Sequence, residues 1–475
     1  MFTNYQEAKA YCEASGIEMI DFKMVDLWGR WRHLTIPIQR FRPEVMTHGI
    51  GFDGSNYGYA PVERSDMVFI PDLSTAVVEP FSSVPTLNML GDVLVIDKEN
   101  RPFDQYPRNV LRKAVEYLKE TELADEMHIL PEFEFFIFDH VSSTVQPQES
   151  SYRVDMDHAI WNSGRNDIKN LGYHVAKHGG YHVDAPLDHD YDLRSKICHT
   201  LENMGIAVKY HHMEVAGGQM EIEPEIGPVF QMADNIMMIK YVVKNMAIAE
   251  GKTATFMPKP VYDEAGSGLH VHMLLKKNGY PVFFDENGYS GLSKKALNFI
   301  GGILTHARSL CALTNPSTNS FKRLVPGYEA PVSIVYATAN RSAVIRIPSY
   351  AKTPNTKRFE LRCPDATCNP YYALAAILMA GIDGMQREID PVAEGFGPYD
   401  CNLYKLSKEE QSKIKGLPTS LEEACLALET DNDYLQAGGV FPQRLLEVWN
   451  ERRLEEARRI NSIPHPAEFN MYYDL

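Results

Sequence analysis

The run Leu130–Phe138, LPEFEFFIF, constrains the fold of this chain more than any other short segment. It is strand-like, and along a strand residues two apart face the same side, so Glu132 and Glu134 project together. Two carboxylates a few ångströms apart repel or share a proton unless a cation intervenes, which implies either a metal or an acid/base pair. Taken alone, the pattern also describes an exposed edge-strand face.

Three more segments narrow the reading. In HHMEVAGGQMEIE, Glu214 and Glu221 flank a Gly-Gly turn and can point into one cavity. In GSGLHVH, His270 and His272 share a strand face behind a glycine-rich approach; a lone His there is usually a satisfied core residue, whereas two alternating ones suit a ligand and a phosphate donor. Glu360 and Arg362 share a face of the strand-like FELR. The resulting carboxylates and imidazole form a mainly hard-oxygen donor set, suited to Mg²⁺ or Mn²⁺ and poorly suited to structural zinc.

Between these segments, Asn315–Arg346 gathers Lys322, Arg323, Arg341 and Arg346 around one acid, Glu329, in a chain of formal net charge -16. Guanidinium groups grip carboxylates and phosphates bidentately, so the block reads as a clamp for an acidic substrate and a polyphosphate, with Glu329 as proton acceptor. The alternative is a solvated charged surface. Divalent ions beside arginines point to phosphoryl transfer. Known phosphate loops are absent: Met246 stands where GKTATF would need its upstream glycine, and Gly266-Ser267-Gly268 lacks a third one.

At 475 residues with 44% hydrophobic content, two domains are expected. The acidic balance argues against a nucleic-acid partner. Seven scattered cysteines without a C-x-x-C pair suit a reducing cytoplasm. No leader pattern or apolar span suggests export or a membrane.

Residues from Ile17 to about Asp97 read as a small, mostly antiparallel β unit, and a break at Glu99–Tyr106 sets domains of 1–104 and 105–475. Beyond it, strands at His128–Asp139, Leu269–Leu275 and Arg358–Arg362 alternate with helices at Asp190–Asn203, Val229–Glu250, Ser293–Leu313 and Asn369–Arg387. Another helix is expected at Pro107–Leu118. Ser142–Asn170 reads as a long surface excursion. A charged helix, Pro442–Ile460, precedes an aromatic tail with Phe469, Tyr472 and Tyr473, which should be buried against its own domain or a neighbouring subunit.

Taken together, FDGSN at Phe52, PEFEFF at Pro131, KTATFMPKP at Lys252, GSGLHVH at Gly266, NSFKRLVPGYEAP at Asn319, NRSAVIRIP at Asn340 and FELRCPD at Phe359 resemble glutamine synthetase of the bacterial type I class, in the family's order and over nearly the whole chain. The resemblance implies an α+β fold: a small β-grasp-like domain and a large catalytic domain whose antiparallel sheet forms a funnel-shaped site shared between subunits. It implies two Mg²⁺ or Mn²⁺ sites, one on Glu134, Glu214 and Glu221, the other on Glu132, His270 and Glu360. Arg323 and Gly266 would attend glutamate, while His272, Arg341, Arg346, Arg358 and Arg362 would attend ATP and its phosphates. ATP would phosphorylate the γ-carboxylate of glutamate, and ammonia would displace phosphate. Ammonium would be held by Tyr181, Glu214, Glu329 and a neighbouring subunit's Asp53. The assembly implied is a dodecamer of two hexameric rings.

Several positions depart from the common family pattern. Ala265 and Asn56 replace an Asn and a Ser on the glutamate and ammonium side, and Lys209, Leu274 and Asn355 replace Glu, Ser and Lys on the nucleotide side. Ala265 also fits relatives that join glutamate to polyamines or ethanolamine, but those typically lack the acids matching Asp53 and Glu329. A catalytically silent structural relative is a further alternative, opposed by the complete ligand set. Tyr404 matches a tyrosine that an adenylyltransferase modifies in some members, and unmodified relatives carry it too.

Overall fold

The computed structural model describes residues 2–60, 63, 65–96, 100–327, 330–401 and 403–473, without the side chain of Tyr404. Glu329 therefore lies outside the described residues. The LPEFEFFIF run becomes the core of a 13-residue strand, β1 (Glu126–Phe138), and the large sheet is organised around it. Its other main strands are β2 (Val208–Met213), β3 (Gln219–Pro224), β4 (Leu269–Lys277), β5 (Ser333–Thr338), β6 (Ala343–Ile347) and β7 (Phe359–Leu361). The order is β2-β3-β1-β4-β7-β6-β5, antiparallel apart from the β5/β6 pair.

Apolar helices cover the sheet. Val229–Ala249 packs on β1, and Pro370–Gln386 lies between it, Pro107–Glu120 and Lys294–Thr305. Nearly every residue of Pro370–Gln386 is buried, as expected for a helix apolar on all sides. Pro107 opens its helix at the position where a missing N–H costs nothing, and Val110, Leu111, Ala114 and Leu118 recur at helical spacing to fill the core side. Arg108 on the same helix is 1% exposed and bridges Asp72, Asp92 and Asp234. That cluster ties the N-terminal unit to the sheet-covering helix Val229–Ala249.

The N-terminal unit follows a helix, Tyr5–Ala14, whose cap Asn4 accepts from the Glu7 N–H. It holds two small sheets. In one, Met19–Val25 pairs antiparallel with Trp31–Pro37 and parallel with Thr86–Met89. In the other, Ile50–Asp53, Asp66–Pro71, Gly91–Val95 and Arg101–Pro102 pair antiparallel throughout. This two-sheet N-terminal unit packs beside a larger unit of mixed helix and sheet.

Three readings are refined by the structure. The helix expected over Ser293–Leu313 is two, Lys294–Thr305 and Ala307–Thr314, because His306 leaves helical geometry to bond Asp383 and Asp431 at 2.9 and 2.8 Å. The Ser142–Asn170 excursion begins as an exposed hairpin of His140–Gln146 with Glu149–Asp155, but Met156, Ala159 and Asn162 behind it are buried rather than on the surface. The aromatic tail forms a helix, Pro466–Tyr472, that leaves Phe469, Tyr472 and Tyr473 exposed in the single chain. Among the described residues, no helix is long and apolar enough to cross a membrane.

Candidate active site

The register of the sheet decides which side chains meet. On β1, Glu134 stands opposite Glu221 of β3, and Glu221 opposite His212 of β2. On the other side of β1, Glu132 is opposite His270 of β4; His272 is opposite Glu360 of β7, and Glu360 opposite Arg346 of β6. Because alternate residues share a face, these pairings stack carboxylates and imidazoles in adjacent rows.

Distances confirm the convergence. Glu132 holds His270 Nδ1 at 2.9 Å and His272 Nε2 at 2.7 Å through its two oxygens. Glu360 takes Arg346 at 2.5 Å and Arg362 at 2.9 Å, and sits 3.7 Å from His270. Glu134 accepts the Gly268 N–H at 2.6 Å. On the β2 side, His212 lies 3.3 Å from Glu221 and 3.8 Å from Glu214.

Donor atoms close enough to share one ion belong to Glu132, His272 and Glu360 in one group and to His212, Glu214 and Glu221 in another, each within 4.8 Å. His212 is absent from the ligand sets expected above. Its signal was the HHM preceding Glu214, and only the β2/β3 register turns it inward. Glu223 forms a third group with Glu132 and Glu221, but it already pairs with Lys209 at 2.6 Å. Lys209, one of the departures from the family pattern, thus neutralises a buried acid.

The electrostatics call for a cation. Burial pushes the Glu214 and Glu221 carboxyls well above their usual range, and the neighbouring Glu134 and Glu132 reinforce the shift. Glu132 behaves oppositely: burial opposes its charge, yet His272 and His270 hold it well below the usual range. Glu360 is also held low, by Arg362 and the imidazoles against burial and the repulsion of Glu132. A donor set of hard oxygens and imidazoles whose members repel one another fits divalent ions of the Mg²⁺/Mn²⁺ type.

A cavity of about 790 Å³ opens over these rows, lined by Glu132, Glu134, Glu214 and Glu221 together with Arg323, Arg341, Arg346 and Arg362, whereas His272 and Glu360 do not line it. Tyr181, Ala265, Gly266 and Lys209 also reach it. Arg323 is 3% exposed and donates to the carbonyls of Cys363, Pro364 and Arg362. Glycines are required beside it, since a Cβ on Gly266 would sit 2.8 Å from Arg323 Cγ and one on Gly268 2.4 Å from its Nη2. A buried donor awaits an acceptor: Arg346 Nε has no partner among the described residues. Such an orphan suits an anionic oxygen, because an unmet buried donor costs about 1–3 kcal/mol.

Not every expected residue converges. Arg358 lies behind the wall, stacked on Tyr350 at 5.5 Å. Leu274 is buried in the core and Asn355 is exposed. Asp53 is exposed at the end of its strand, bound to Ser55 and Asn56, and does not line the cavity of its own chain.

Comparisons with known proteins bear on this site. A family model described as the glutamine synthetase catalytic domain matches residues 104–472, and one described as the glutamine synthetase β-grasp domain matches residues 16–96. The chain is 45% identical to a glutamine synthetase of Frankia alni over 482 residues, covering 100% of both. It is 44% identical, over 97% of both chains, to a Cupriavidus pinatubonensis protein named 3-hydroxylaminophenol mutase. A cryo-EM structure of Plasmodium falciparum glutamine synthetase superposes with a TM-score of 0.88 at 28% identity, covering 99% of each chain.

Proposed function

The chain belongs to the glutamine synthetase family, and we propose that the carboxylate rows and arginines of its cavity carry out the glutamate–ammonia ligase reaction of that family in the roles given below. The observation that supports this most is the meeting, in the lining of one cavity of about 790 Å³, of the His212, Glu214 and Glu221 cluster, Glu132, Glu134 and His270 with Arg323, Arg341, Arg346 and Arg362. ATP and a divalent metal belong to the family's chemistry.

Arg323 binds the α-carboxylate of glutamate, held on three backbone carbonyls so that its charge faces the cavity. The γ-carboxylate oxygen attacks the γ-phosphorus of ATP, ADP departs, and an acyl phosphate forms. Arg341, Arg346, Arg362 and His272 neutralise the charge spread over the transferring group, where electrostatic stabilisation is usually the largest contribution. Glu134, Glu214, Glu221 and His212, and Glu132, His270, His272 and Glu360, would hold Mg²⁺ or Mn²⁺, which would supply charge neutralisation and activation of the phosphoryl group. Tyr181, Glu214 and Glu329, with Asp53 of a neighbouring copy, gather ammonium; one acid takes its proton, and the nitrogen then attacks the acyl carbon and expels phosphate.

We place the domains at 1–104 and 105–475 and the assembly at two hexameric rings. The exposed Phe469, Tyr472 and Tyr473, and an Asp53 turned away from its own cavity, support intersubunit contacts. Seven free thiols suit a cytoplasmic setting. Purified protein should release phosphate from ATP when given glutamate and ammonium, and release much less with glutamate and putrescine or ethanolamine. The reverse preference would overturn the reading.

The metal has a second readout. Glu214 and Glu221 are shifted up in the metal-free fold, so as pH rises above the usual carboxylate pKa the unfolded chain ionises first and the fold loses stability until their raised pKa is passed. An ion that displaces those protons binds more tightly at higher pH. The Tm gain on adding Mn²⁺ should therefore be larger at about pH 8 than at about pH 6, as read by calorimetry. An equal gain at both would remove Glu214 and Glu221 from the metal sites.

A further inference from the structure

A second cavity, of about 920 Å³, shares no lining residue with the first. It lies where the turn Trp28–Trp31 of the β-grasp domain meets the helices Val229–Ala249 and Gln443–Asn461 and the segment Thr255–Pro258. Arg30, Lys240, Lys244, Arg452, Arg453 and Arg459 line it, against only Glu455 and Glu456. In a chain of net charge -16 this concentration of cations is the reverse of the background.

Those cations are poorly compensated. Glu456 is taken by Arg453 at 2.7 Å, and no ion pair joins Arg30, Lys240, Lys244, Arg452 or Arg459 to a carboxylate among the described residues. Lys240 donates to the Ala366 carbonyl at 2.5 Å. Burial pulls its amine down to about 8, with Lys244 adding to the shift, and Lys244 is itself lowered by burial and by Arg30. Repulsion of this kind is relieved by a bound anion.

The walls add two further signals. Arg453 is 9% exposed, and its guanidinium lies 4.4 Å from the Trp28 ring and 4.8 Å from that of Trp449, yet its Nε has no partner. Trp31 Nε1 is likewise buried without an acceptor, while its ring packs 5.4 Å from Tyr241. Lys240 and Lys244 both face the ring of Phe256, at 5.8 and 5.9 Å. Orphaned N–H donors ask for acceptor oxygens, and Trp28, Trp31 and Phe256 give the wall aromatic surface against which a planar ring can pack.

We propose that this cavity is a second anion site, which takes a small phosphorylated ligand bearing a planar ring, of the nucleotide class, with its phosphate among Lys240, Lys244 and Arg453 and its ring against Trp28, Trp31 or Phe256. The volume falls within the range of small-molecule sites. The rim arginines Arg452 and Arg459 are exposed and draw the anion in.

Pyridoxal 5′-phosphate tests this on the full-length, assembled protein, because it joins a phosphate and a planar ring to an aldehyde. The aldehyde condenses with a neutral lysine amine, losing water to give an imine, and borohydride delivers hydride to leave a stable secondary amine. Peptide mapping by mass spectrometry should find the label on Lys240 or Lys244, reduced at least tenfold by excess adenosine 5′-monophosphate and at least tenfold in an Arg452→Glu/Arg459→Glu variant. Without the probe, glutamine synthesis by that variant should stay within twofold of the parent. Label of undiminished extent in the variant would mean intrinsic lysine reactivity only. Absence of label in the assembled protein would mean that a neighbouring copy fills the cavity. Either result overturns the proposal.

Discussion

An Arg323→Ala enzyme should show a KM for glutamate about 100-fold higher than the parent, with the KM values for ATP and ammonium changed far less. Removing one partner of a desolvated charge pair costs roughly 2–5 kcal/mol, and Arg323 is buried at the cavity wall with no carboxylate partner among the described residues. Its attachment to the carbonyls of Cys363, Pro364 and Arg362 fixes the position of that charge before substrate arrives. Preorganisation of this kind places the loss in binding rather than in the chemical step. Arg323→Lys should fall between the two, since an ammonium keeps the charge but cannot reproduce a planar fork reaching three carbonyls. Initial rates at saturating ATP and ammonium, with glutamate varied, make the measurement. A fall in kcat with an unchanged glutamate KM would take Arg323 out of the substrate clamp.

Much of this site was legible because its parts repeat with the period of a strand. Glu132 and Glu134, His270 and His272, and Glu360 and Arg362 each sit two residues apart, and each pair does share a face. What the sequence could not carry is register between strands. His212 joins Glu214 and Glu221 only because β2 pairs with β3 so that His212 stands opposite Glu221. A slip of one residue would have turned it to the other face. Leu274 shows the converse: its family position suggested a nucleotide contact, and the strand buries it in the core.

One helix was misjudged for a similar reason. Apolar periodicity runs through Ser293–Leu313 without interruption, and the break at His306 is imposed by Asp383 and Asp431, far along the chain. The second cavity was illegible throughout, because Arg30, Lys240 and Arg453 are hundreds of residues apart and each alone reads as a solvated surface charge. The acid that the sequence singled out within its cation-rich block, Glu329, rests on family resemblance, whereas the arginines around it are anchored by geometry.

Glu221→Gln should separate stability from function most sharply. Glu221 is buried beside Glu132, Glu134 and Glu223, and both burial and those neighbours push its carboxyl up. An amide of the same shape removes the charge without leaving a hole, so the metal-free variant should be at least as stable as the parent near neutral pH. The sign of the pH dependence follows from linkage. Because the folded-state pKa is raised, the parent bears no penalty where both states are protonated and an increasing one as pH rises toward that raised value. The Tm of the variant should therefore draw level with or exceed that of the parent, with the difference growing as pH increases. Activity should move the other way. Loss of a charged donor from the cluster that faces the transferring phosphoryl group should lower kcat/KM by about 10²–10³-fold, and the stabilisation by Mn²⁺ should largely vanish. Stability gained where activity is lost is expected of a site built from like charges awaiting a cation. A variant that melts well below the parent without metal, or that keeps its Mn²⁺ response, would show that Glu221 holds the sheet together rather than the ion.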